Sequence, residues 1–95
     1  MLQRAVRLPT RVLIQVRYGD LVFDATIGNI SAGGARLLGV PDDALKVGET
    51  IDIHALGKQM RAEVRWHIDD TCGLMFDKPL SGHEISEILG ARTFH

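Results

Sequence analysis

The chain has 95 residues, of which 45% are hydrophobic and 24% are charged, and its formal net charge at pH 7 is −1. This length predicts one domain with a single core, and no apolar run approaches the ~20 residues that a membrane-spanning helix needs, so membrane insertion is not expected. The basic residues are too few, and the remainder of the chain too acidic, for a nucleic-acid polymer to be the expected partner.

The N-terminal segment is basic, unlike the rest of the chain. Arg4, Arg7 and Arg11 occur with no acid among the first nineteen residues, whereas the rest has seven basic and twelve acidic residues. Such a segment is expected either to meet an anion or simply to solvate the terminus. We predict a mobile N-terminal arginine arm over residues 1–11, followed by a single domain over residues 12–95.

Apolar and polar residues alternate through most of the chain, which predicts short antiparallel strands joined by Gly- and Asp-containing turns. Six strands are expected, at residues 12–18, 21–27, 35–38, 51–55, 60–68 and 73–76. Near the C-terminus the period changes, and Ser81 with Glu84 three residues later forms a capping box that opens a helix over about 82–91. The fold class is therefore all-β with a terminal helix, as a small barrel or sandwich.

The connection between the second and third strands has more polar groups and glycines than a turn requires. Asn29, Ser31, Gly33 and Gly34 occur together in the stretch GNISAGGARL. The glycines can take a positive φ or let another group approach the backbone closely. The two polar side chains can fold back on the turn or donate to a ligand. A structured bend and a ligand site are both consistent with this pattern.

The fifth strand presents one aromatic residue and two arginines. Alternation places Trp66 with Val64 on the apolar face, where it is expected in the core or at the barrel rim, or else as a stacking platform for a base. Arg61 and Arg65 lie on the opposite face with Glu63, which indicates a solvated surface, or an extension of an anion site.

No pattern in the sequence predicts catalysis. The four histidines and the lone Cys72 lack metal-ligand spacing, and there is neither a nucleophile motif nor a phosphate-binding loop, so we expect no metal site and no enzyme. Asp69 and Asp70 are expected to form a turn. Because Cys72 has no disulfide partner and the first residues do not form a signal peptide, we expect a cytoplasmic location.

Two motifs in order give the chain a family resemblance. Residues 7–11, RLPTR, fit RxxxR, and residues 29–34, NISAGG, fit [D/N]xSxxG; the segments GGARL, LKVGETIDI, AEVRW and CGLMF agree as well. The chain therefore resembles the PilZ domain, the bacterial receptor module for cyclic di-GMP. The resemblance covers nearly the whole chain and implies a six-stranded antiparallel β-barrel whose arginine arm and [D/N]xSxxG strand grip the dinucleotide.

The register of the arginine motif has two solutions. In the family the second arginine is usually followed by a small apolar residue and proline, which Arg7 satisfies better than Arg11. If Arg7 is the second arginine, the first position falls on Gln3, with Arg4 one residue away. Arg4 and Arg11 are therefore alternative partners for Arg7.

The resemblance implies a set of ligand residues and a function. The residues expected to bind cyclic di-GMP are Arg4, Arg7, Arg11, Asn29, Ser31, Gly33, Gly34 and, as the stacking platform considered above, Trp66. The expected protein is a receptor that changes its surface on binding this second messenger and then acts on an unidentified effector protein. The alternative is a degenerate PilZ-like adaptor that binds proteins but not cyclic di-GMP, which the glutamine at position 3 favours.

Overall fold

The computed structural model describes residues 8–90, which form six β-strands and one α-helix. The elements are β1 (Leu8–Tyr18), β2 (Leu21–Ile30), β3 (Gly34–Leu38), β4 (Thr50–Ala55), β5 (Lys58–Ile68), β6 (Thr71–Phe76) and α1 (Gly82–Gly90). Every strand pair is antiparallel, and the order β1-β2-β3-β6-β5-β4 closes because β4 also pairs with β1. The six-stranded antiparallel barrel with a terminal helix is confirmed.

The barrel interior is filled by aliphatic side chains. Successive residues of a strand point to opposite faces, and in β1 the inward Val12 and Ile14 are each 3% exposed while Leu13 between them is 66% exposed. The largest side chains with almost no exposure are Ile27, Ile30, Leu37, Ile51, Ile53, Val16, Val40, Val64 and Cys72. Burial raises the pKa of the Cys72 thiol to about 11, so this cysteine is a neutral core residue at pH 7.

β1 begins at Leu8, four residues before the start that alternation predicts. Residues 8–11, which we assigned to the arm, therefore belong to the strand, while residues 1–7 of that arm lie outside the described residues. Thr10 is buried and Arg11 is exposed, so the alternation of β1 extends back to Thr10. Because Thr10 is polar and Pro9 is unusual in a strand, the apolar pattern in the sequence starts only at Val12.

Two further register shifts interrupt the barrel, between Ile27 and Asn29 in β2 and between Val64 and Trp66 in β5. Each inserts one extra residue, and beyond it the inward and outward faces of the strand exchange. The shift in β2 explains why alternation predicts an end at Ile27 although the strand continues to Ile30.

The predicted capping box opens α1. The Glu84 amide donates to Ser81 Oγ over 3.1 Å, and the Ser81 amide donates to Glu84 Oε1 over 3.0 Å. Ile88 is 2% exposed and joins the barrel core, so α1 is packed on the barrel by its apolar face. Within residues 8–90 there is no helix of the length and apolarity needed to cross a membrane.

Candidate ligand-binding site

The turn between β2 and β3 is closed by Ser31. Its backbone N–H donates to the Gly34 carbonyl oxygen over 2.8 Å, and its hydroxyl donates to the same oxygen over 3.4 Å. The residue is only 5% exposed. Of the two roles open to Ser31, the structure therefore shows the local one, in which the side chain folds back on its own turn.

Gly33 and Gly34 do not use the left-handed region of backbone conformation, which in residues 8–90 is occupied by four other glycines and by Asp43, Leu56 and Asp69. A Cβ atom added to Gly34 would overlap the carbonyl oxygen of Leu74 on β6, whereas one added to Gly33 would meet nothing within 4 Å. A glycine is therefore needed at position 34 because the backbones of β3 and β6 approach closely there, and not because of a positive φ.

The same turn is fixed from outside by the segment that follows β6. The Phe76 amide donates to the Gly33 carbonyl oxygen over 2.9 Å, and the Leu80 amide donates to that of Ala32 over 2.7 Å. Because these carbonyls are already paired, the turn is held as a rigid corner of the barrel.

A row of residues crosses four strands beside this corner. Asn29 on β2 pairs in register with Arg36 on β3, Arg36 pairs with Gly73 on β6, and Gly73 pairs with Trp66 on β5. Gly73 stands between the core residues Cys72 and Leu74, so it faces outward, and its register partners share that face. We call Asn29, Arg36, Gly73 and Trp66 the outer strip.

Trp66 lies on this outer face, and the prediction that it shares the apolar face with Val64 is wrong. The register shift between the two residues adds Arg65 to the strand and reverses the alternation beyond Val64. The indole covers Gly73, since a Cβ atom added there would overlap its pyrrole ring. The half-buried ring therefore has one face on the sheet and the opposite face directed away from it.

Asn29 and Arg11 lie on neighbouring strands, with Arg11 two residues from Pro9, the register partner of Asn29. Arg11 is exposed between the buried Thr10 and Val12, which places it on the outer face of β1, near the register pair of Pro9 with Asn29. The Asn29 Oδ1 atom is buried and has no hydrogen-bond partner among the described residues. Native structures rarely leave such an atom unpaired, and it marks Asn29 as a group that can still accept a hydrogen bond.

Arg36 is the site residue that sequence reasoning missed. We interpreted GGARL as the beginning of a strand and as part of the family resemblance, without assigning Arg36 to the site. One exposed arginine in a strand is not by itself a signal. The feature that identifies it is its register with Asn29 and Gly73, which depends on the shift in β2. Arg4 and Arg7, by contrast, lie outside the described residues.

The two arginines of β5 have carboxylate partners. Arg61 pairs with Asp52 at 3.4 Å, and Arg65 pairs with Glu63 at 3.2 Å. Both pairs are exposed, which agrees with a solvated surface. No group of three or more potential metal ligands occurs in the part of the chain that the structure describes.

A cleft lies away from the outer strip. This cleft of about 560 Å³ is bordered by β4, β5, the segment after β6 and the first turn of α1, and its lining includes Met60, Phe76 and Leu80. The charged side chains around it are of both signs, with Arg61 already paired to Asp52. It therefore offers no concentrated charge for an anionic ligand.

A family model described as the PilZ domain matches residues 2–92 of the chain. Among solved structures, the PilZ domain of CeSA from a cellulose-synthesizing bacterium superposes with a TM-score of 0.69 at 16% identity, covering 92% of this chain and 95% of that one. The Bacillus subtilis inhibitor of motility, MotI/DgrA, superposes with a TM-score of 0.68 at 19% identity, covering 95% of this chain and 49% of the other. The chain thus spans about half of that second protein. No curated protein matches the chain.

Proposed function

Because the chain belongs to the PilZ domain family, we propose that it is a receptor for cyclic di-GMP. The observation that carries the proposal is the outer strip, where a guanidinium, an amide and an indole lie side by side on one face of the barrel. Cyclic di-GMP presents two phosphates and two guanines, which are the groups that arginine forks and aromatic faces bind.

The arginine arm supplies the remaining charge in this proposal. Arg7 binds the phosphates through bidentate hydrogen bonds from its guanidinium, with Arg4 or Arg11 as its partner. Arg11 lies on β1, which pairs with the strand that carries Asn29. Asn29 accepts or donates a hydrogen bond at a guanine edge. Ser31 joins the ligand only if its hydroxyl turns away from the Gly34 carbonyl, because that bond engages it in this structure.

Ligand binding then creates a surface that a partner protein recognises. In this proposal the domain acts on an effector protein, and order gained by the arm on binding supplies a new face. The shared fold with an inhibitor of motility supports a regulatory role of this kind. A reducing, cytoplasmic setting is consistent with the neutral, buried Cys72 thiol.

Isothermal titration with cyclic di-GMP tests the proposal, with GMP as the comparison ligand. We expect saturable heat from cyclic di-GMP and at least a tenfold loss of affinity in Asn29→Ala. Gln59→Ala is the matched control, because it removes an exposed amide outside the strip, and it should bind like the wild type. Absence of binding by the folded wild-type protein would contradict the proposal and favour the adaptor that does not bind the nucleotide.

A further inference from the structure

Arg36 is an exposed cation that has no carboxylate partner among residues 8–90. Its register neighbours are Asn29 and Gly73, neither of which carries a charge. Arg61 and Arg65, in contrast, are each paired with an acid. An exposed guanidinium between uncharged neighbours keeps its planar set of donors available for a ligand.

Trp66 provides a platform over β6, the strand that neighbours Arg36 on β3. The indole lies over Gly73, and neighbouring strands are about 4.8 Å apart, so a base stacked on the ring would extend over the strand that separates β3 from β5. Its edge would then face β3, where the Arg36 side chain is long enough to meet it. The ring can lie this close to the backbone of β6 because Gly73 has no side chain.

We propose that Arg36 is the specificity-determining residue of the site, donating in the plane of the base to O6 and N7 of a guanine stacked on Trp66. This inference rests on the proposed function. Guanine presents two acceptors on this edge, whereas adenine presents the N6 amino donor beside N7. The donors of Arg36 therefore match guanine and oppose adenine, so the site distinguishes cyclic di-GMP from cyclic di-AMP.

The test is a titration of both dinucleotides into the wild type and Arg36→Gln. A bidentate contact of this kind discriminates by about 5- to 150-fold per base, and glutamine suits the adenine edge. We expect Arg36→Gln to lose at least tenfold in affinity for cyclic di-GMP. The ratio of its affinity for cyclic di-GMP to its affinity for cyclic di-AMP should be smaller than in the wild type. Arg61→Gln, which alters an arginine outside the strip, is the matched control and should leave both affinities unchanged.

Two results would overturn the inference while leaving the proposed function intact. One is that Arg36→Gln binds cyclic di-GMP as tightly as the wild type does, with an unchanged ratio of its affinities for cyclic di-GMP and cyclic di-AMP. The other is an equal loss of affinity for both dinucleotides, which would make Arg36 a phosphate contact.

Trp66 gives a second readout because it is the only tryptophan in the sequence. Cyclic di-GMP should quench its fluorescence, and saturable heat without quenching would overturn the stacking platform. Lack of binding by the wild type would instead overturn the proposed function itself.

Discussion

The indole of Trp66 occupies the space above Gly73 where any other residue would place its Cβ atom. The two residues are register partners on β5 and β6, and they face outward because the bulge after Val64 reverses the alternation of β5. An aromatic residue that its sequence position assigns to the core is thereby held on the barrel surface, against a neighbour that has no side chain.

Gly73→Ala should displace the indole. The added methyl group would overlap the pyrrole ring, so we expect a loss of about 1–3 kcal/mol in the free energy of unfolding, as for overpacking at other well-packed positions. The emission maximum of Trp66 should move to longer wavelength as the ring becomes more exposed, and cyclic di-GMP affinity should fall. An unchanged spectrum with unchanged stability would show that the ring does not depend on Gly73.

Gly34→Ala and Gly33→Ala should behave differently although the residues are adjacent. At Gly34 the methyl group would overlap the Leu74 carbonyl oxygen, and backbone cannot move aside easily, so we expect a loss of about 1–3 kcal/mol. At Gly33 the space is open and φ is not in the left-handed region, so the change should stay within about 0.5 kcal/mol. Urea denaturation measures both, and equal losses would refute the close-approach explanation.

Much of the barrel can be predicted from the sequence because alternation is a direct consequence of strand geometry. The inward set of β1, the turn at Asp69 and Asp70, and the capping box at Ser81 all follow from local residue patterns. What local patterns miss is the position of a bulge. A single extra residue leaves no compositional signal, yet it changes which face every later residue of the strand occupies.

The candidate site depends on those bulges, which is why the sequence identifies it only in part. The turn residues Asn29, Ser31 and Gly34 are recognisable as a motif, but the register of Asn29 with Arg36 requires the shift in β2. The placement of Trp66 requires the shift in β5. Arg36 therefore becomes a site residue only when the pairing of strands is known.

Arg7→Ala should weaken cyclic di-GMP binding by about 1.5–3 kcal/mol, which is about 10- to 150-fold in affinity, because a charge-assisted fork to phosphate is lost. Arg4→Ala and Arg11→Ala, titrated alongside, identify its partner as the variant with a comparable loss. Arg17→Ala is the matched control, since this β1 arginine is hydrogen-bonded to Gln15 through its Nε atom. Wild-type affinity in Arg7→Ala would refute the proposed register of the arm.

The stability of α1 should depend on pH through Glu84. Hydrogen bonds from Ser81, first from its backbone amide, lower the pKa of this carboxyl, with smaller contributions from Lys58 and His83. A carboxylate whose pKa is lower in the folded state stabilises the fold above its ordinary pKa of about 4.3, and this contribution is lost as the pH falls through the lowered value.

Glu84→Gln should therefore be less stable than the wild type at about pH 7, and the difference in the free energy of unfolding should shrink as the pH is lowered, as measured by urea denaturation. Ser86→Ala is the control on the same helix, and its effect should be the same at both pH values, since no ionisable group is changed. A difference between Glu84→Gln and the wild type that does not shrink in acid would contradict this role of the carboxylate.

The central claim, that cyclic di-GMP binds to the outer strip, is tested most directly by a two-dimensional ¹H–¹⁵N NMR titration of the uniformly labelled protein. We expect the largest shifts at the amides of Asn29, Arg36 and Gly73 and at the indole N–H of Trp66. The amides of Met60 and Leu80, which border the separate cleft, should move little. Shifts confined to that cleft, or an unchanged spectrum at saturating ligand, would contradict the claim.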